Sequence, residues 1–117
     1  MSHISALVLS ISALTSASMA NAEYQGPVQN ELNRIDQIID NGKDDQMVRL
    51  QGYLIEKVSN DKYLFSDGQQ QIRVEIDDHL FPAEPFDHQD RIEILGEVEK
   101  DYLESAEIDV DSLRLLR

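Results

Sequence analysis

The stretch Lys62-Tyr63-Leu64-Phe65-Ser66-Asp67-Gly68-Gln69-Gln70-Gln71-Ile72-Arg73-Val74-Glu75-Ile76-Asp77 decides the fold class. Asp67-Gly68 is a hairpin signal, because glycine readily takes the positive φ that tight turns between antiparallel strands require. After it, Ile72, Val74 and Ile76 alternate with Gln71, Arg73, Glu75 and Asp77. That period of two puts one face of a strand on a core and the other in water. Before the turn, Tyr63 and Phe65 share one face of a second strand, and ordinary burial tendencies assign that face to the core. A β-hairpin with strands at 62–66 and 70–77 is the expectation.

The same reading extends outward. Met47 to Val58 is a long strand pattern with Gly52 in its middle, and an interior glycine commonly marks a bulge or bend that lets one strand serve two halves of a small barrel. Ser59-Asn60-Asp61 turns it into the hairpin. Residues 78–90 carry Pro82 and Pro85 and predict an irregular connection anchored by Leu80, Phe81 and Phe86. Arg91 to Lys100 is a fourth strand with a central Gly96. The loop Asp101-Tyr102-Leu103-Glu104 leads to a fifth, Glu107 to Leu116, with Ile108, Val110, Leu113 and Leu115 as core candidates. Upstream, Val28, Leu32, Ile35, Ile38 and Ile39 recur at spacings of three and four, which predicts a helix over 28–40. Asn41-Gly42 is its expected left-handed stop. Five strands, two with an interior glycine, and an irregular third connection predict an all-β fold with one short N-terminal helix: a five-stranded OB-type Greek-key barrel.

Residues 1–22 contain no Asp, Glu, Lys or Arg and end in Ala20-Asn21-Ala22. They read as a cleavable signal peptide, with an apolar core shorter than the roughly 20 residues a membrane span needs. Residues 23–27, with Gly26-Pro27, are a flexible lead-in, and 28–117 form the OB domain with its helix. No span is expected in the mature protein, and periplasmic localisation follows from export. The chain has no cysteine, which excludes disulfides, thiolate catalysis and thiolate metal sites. The formal charge of −13, with 23 acidic and 10 basic residues, falls wholly on the mature part. Phosphate neutralisation dominates nucleic-acid affinity, so this balance argues against nucleic acid. It attracts cations, whether metal ions or basic peptides, and the expected partner is an unknown protein, a cationic peptide or an envelope component.

The runs Val48-x-Leu50-x-Gly52, Tyr63-Leu64-Phe65 with Asp67-Gly68, Val74-x-Ile76-Asp77, Gly96-Glu97-Val98-x-Lys100 and Glu107-Ile108-Asp109-Val110 stand in register across the domain. Together they resemble the bacterial OB-fold (BOF) family of periplasmic proteins, the YgiW/YdeI-like stress-tolerance group. The resemblance covers nearly all of the chain from the helix near Val28 to Leu116. It implies an exported, non-enzymatic barrel without a cofactor, linked to tolerance of envelope and chemical stress. Two departures stand out: the leader lacks a basic start, and the segment from Glu23 to Val28 is shorter than the Gly/Gln/Pro-rich spacer of many relatives.

OB barrels bind ligands on the exposed face of their second and third strands and with adjoining loops. Here that surface includes Arg73 and Glu75, the turn around Asn60, and Tyr102, with Tyr53 and Tyr63 as added aromatic area where they face outward. No serine stands in a G-x-S-x-G setting, and none after residue 22 lies near a histidine in sequence. Asp77, Asp78, His79 and His88 offer the donors of a mixed nitrogen/oxygen metal site, which makes divalent metal binding or buffering the alternative function. A structural envelope protein without a small ligand is a third reading. The acidic pairs do not follow the spacing of a calcium-binding EF-hand loop, and Glu107, Asp109 and Asp111 fit the outward face of the last strand.

Overall fold

The computed structural model describes Tyr24 and residues 26–117. The expected leader, its cleavage point before Glu23, and Gln25 lie outside the described residues. Helix α1 (Ile35–Asn41) is followed by β1 (Met47–Lys57), β2 (Lys62–Ser66), β3 (Gln71–Glu75), a 3-10 turn (Asp78–Leu80), β4 (Ile92–Glu99) and β5 (Glu107–Leu115). The strands close into a barrel in the order β1-β2-β3-β5-β4. All neighbours are antiparallel except β3 and β5, whose parallel ladder holds only Val74 opposite Ile108 and Glu75 opposite Asp109.

β1 serves both halves of the barrel, as its glycine suggested. Residues Met47 to Gly52 pair with β4, and Tyr53 to Lys57 pair with β2. A Cβ on Gly52 would collide with the Ser66 carbonyl oxygen and touch the Phe65 ring, so the strands can approach only because it is absent. The register slip itself lies between Leu54 and Glu56. Gly96 sits at the β4–β5 irregularity, against the carbonyl of Asp109.

The alternating residues Val48, Leu50, Phe65, Val74, Ile94 and Ile108 are fully buried and fill the barrel. Ile35 and Ile38 of α1 join the same core. The helix is shorter than its spacing predicted. Leu32 makes a parallel bridge to Val48, with Leu32 N–H donating to Met47 O at 3.0 Å and Arg49 N–H to Leu32 O at 2.8 Å. These strand-type bonds satisfy backbone groups beside β1 that an additional helical turn would have withdrawn, while Val28 stays 42% exposed. Gly42 is also a correction: it is extended, at φ −64°, and ends the helix by donating its N–H to Ile38 O at 2.9 Å. The connection between β3 and β4 follows expectation, with Leu80, Phe81 and Phe86 packed on the core.

One outward face of the barrel is covered by ion pairs. Glu93 is only 5% exposed, because Arg114 Nε at 3.0 Å, Arg49 Nη1 at 3.4 Å and Gln51 Nε2 at 3.1 Å close over it. Burial opposes its ionisation, but these hydrogen bonds and charges hold its carboxyl below the usual carboxylate range. Arg49 also reaches Glu31 at 3.0 Å.

Candidate functional site

On another side, the loop between β4 and β5 stands beside β3 and leaves a groove of about 860 Å³. Leu64 of β2 and Gln71, Ile72 and Arg73 of β3 form one wall, and Tyr102, Leu103 and Ala106 form the other. Ile39 of α1 lines it as well. Tyr102 is 97% exposed and Leu103 is 89% exposed, so the loop holds an aromatic and an aliphatic side chain almost entirely in water. Such apolar surface, rimmed by polar groups, is characteristic of contact sites.

The groove continues into a smaller acidic pocket of about 350 Å³ through the shared residues Glu104, Ser105 and Glu107. Asp44, Asp45, Glu99 and Asp101 line it together with Lys62. The Lys62 ammonium lies 2.6 Å from Glu107 Oε1, and Arg73 Nη1 is 3.8 Å from the other Glu107 oxygen. The hydrogen bond to Glu107 raises the lysine pKa. Lys62 also favours ionisation of Glu75 and Glu99, but burial and neighbouring acids outweigh it. Glu99 is pushed up by burial and by Asp109, and Glu75 by burial, with Asp61 adding to it.

Arg73 and Tyr102 therefore meet in one groove, as the sequence placed them, and Glu75 lies two residues further along β3. Tyr53 and Tyr63 do not join it. Tyr53 stands on β1 opposite Ser66. Tyr63 is 8% exposed within the core, edge-on to Phe81 at a centroid distance of 5.6 Å. It belongs instead to a separate apolar pocket of about 510 Å³ shared with Phe81 and Phe86, with Lys57 Nζ 5.8 Å from its ring centre. Among the described residues, no three or more His, Asp or Glu side chains are placed to hold a metal ion. His88 lines the aromatic pocket, whereas Asp77, Asp78 and His79 do not. Composition gave no sign of Lys100, Leu103, Ala106 or Glu107 as groove residues; their link to β3 exists only once β5 closes the barrel.

The sequence pattern described as bacterial OB fold (BOF) protein matches residues 11–115. Protein YgiW of Escherichia coli (strain K12) is 33% identical, over 93% of this chain and 94% of its own. The calcium-regulated OB-fold protein CarO of Pseudomonas aeruginosa is 31% identical, over 95% and 94% respectively. The solved structure of YgiW from E. coli superposes with a TM-score of 0.66 at 32% identity, covering 82% of this chain and all of that one. Replication protein A of U. maydis, solved bound to single-stranded DNA, has a TM-score of 0.53 at 12% identity, covering 78% of this chain and 77% of its own, and shares the fold alone. Sequence, strand order and barrel geometry agree: the chain belongs to the bacterial OB-fold (BOF) family.

Proposed function

We propose that this protein is a non-enzymatic binding module of the periplasm that engages a basic partner through the β2–β3 groove, in the service of envelope stress tolerance. The observation that carries this reading is the continuity of the groove with the acidic pocket, in a chain of net charge −13. Cationic segments are drawn in by that field, and the exposed Tyr102 and Leu103 supply apolar contact once they arrive. Nucleic acid fits poorly, since Glu104 and Glu107 line the groove alongside Arg73 and Lys100 and would repel phosphates.

The test is a titration of the protein with a labelled lysine-containing peptide and its glutamate counterpart, at low and moderate salt. The basic peptide is expected to bind saturably and to weaken as salt rises, because charges beyond about 8–10 Å are screened near physiological ionic strength. Equal binding of both peptides, or binding indifferent to salt, would contradict the mechanism. Localisation has its own check: N-terminal sequencing of chain recovered from osmotic-shock fluid should begin at Glu23, and recovery only of uncleaved chain from the cytosol would exclude export.

A further inference from the structure

The β3 edge has a defect in its pairing that gives the groove a specific binding mode. The β2–β3 hairpin begins with Asp67 N–H donating to Gln70 O at 3.2 Å, and beyond its far end Ile76 N–H donates to Asp61 O at 2.8 Å. Bonded and non-bonded pairs alternate along an antiparallel ladder. With Phe65 opposite Ile72 and Tyr63 opposite Val74, those two are the bonded pairs. Gln71, Arg73 and Glu75 must then direct their N–H and C=O groups away from β2, toward the opposite edge. Glu75 meets β5 there, in register with Asp109. Val74 is bonded to β2, so its pairing with Ile108 runs through its neighbours, the Arg73 carbonyl and the Glu75 N–H. The N–H and C=O of Gln71 and the N–H of Arg73 lie beyond that two-pair ladder, and the space beside them is the groove, which Ser105 and Ala106 also line.

We propose that Gln71–Arg73 is a docking edge to which an extended, basic peptide segment adds as a further strand. An open edge with aligned donors and acceptors is a template for strand addition. A segment beside β3 would turn alternate side chains toward Ile72 and Ala106, so apolar residues suit those positions. The acidic pocket adjoining the groove places Lys or Arg in the flanking positions, against Glu99, Asp101 and Glu104. Charge also decides between occupants: a second copy of this chain would bring two bodies of charge −13 together. The proposal rests on the basic-partner reading above and adds the backbone contact and its location.

The experiment uses the protein with a synthetic peptide alternating valine and lysine, and with two derivatives N-methylated at alternate amides in the two possible phases. Methylation removes backbone donors without changing charge. One phase should lose about tenfold or more in affinity, equivalent to about 1.4 kcal/mol, while the other binds much as the parent does. Amide hydrogen exchange at Gln71 and Arg73 should slow by about tenfold or more on binding of the parent peptide. Equal affinities for all three peptides with no protection at Gln71 and Arg73 would overturn strand addition and leave the acidic binding module standing. No binding of any of them at low salt would remove both. Protection of the same amides without peptide, accompanied by dimers in sedimentation, would assign the edge to a second copy and overturn the proposal.

Discussion

Asp67 is a turn residue in the sequence and a helix cap in the folded chain. Its Oδ1 accepts the amides of Gln69 and Gln70, both at 3.0 Å, and its Oδ2 accepts the amide of Ile35 at 3.3 Å. Burial works against ionisation, but these bonds outweigh it and lower the pKa. Asp67→Ala should therefore destabilise the domain by about 1–2 kcal/mol, read as a lower urea midpoint at unchanged slope. Glu93→Gln should cost about 1–3 kcal/mol, because two arginines lose the carboxylate that closes between them. A change within about 0.5 kcal/mol would show that Glu93 is a solvated surface acid. Asp67 was legible as a turn former, whereas its bond to Ile35 spans distant parts of the chain. Glu93 falls inside the strand expected from Arg91 to Lys100. Its burial was illegible because the arginines that cover it come from β1 and β5.

The strands were read from the sequence to within one or two residues, since period-two burial and turn chemistry pointed the same way. Helix α1 was not, because apolar spacings of three and four from Val28 also suit a segment that pairs beside β1. Gln37 marks where the helix actually starts: its Oε1 accepts from the amides of Asn33 at 3.0 Å and Arg34 at 3.2 Å. Gly96→Ala tests the β4–β5 approach. The added methyl meets the Asp109 carbonyl, and a loss of about 1–3 kcal/mol is expected, or several degrees to over twenty in Tm. The loop before β5 should behave in the opposite way. Tyr102→Ala combined with Leu103→Ala should leave Tm nearly unchanged, since both side chains are almost wholly exposed, yet weaken binding of the basic peptide. A stability loss without a binding loss would make the loop a packing element.

Across the whole molecule, two sets of carboxyls respond oppositely to acid. Glu97 is raised by the neighbouring Asp111 and by burial, and Glu75 and Glu99 are raised as well. Each binds its proton more readily folded than unfolded, so stability grows as the pH falls through their folded pKa values. Asp67 and Glu93 are lowered, and their contribution, complete above the unfolded carboxylate range, is lost as the pH falls through their folded values. Thermal stability should therefore peak on the acid side of neutral and decline below it. A steady decline from neutral downward would mean that repulsion among the acids carries little weight. The two-pair junction of β3 with β5 also bears on time. The β2–β3 and β4–β5 hairpins form from near neighbours in sequence, whereas this junction, like the β1–β4 ladder, joins distant segments, the slow kind of contact to make, and it has only two residue pairs to hold it where β1–β4 has six. Barrel closure should be the last step of folding, and the first to reverse when the molecule is pulled apart.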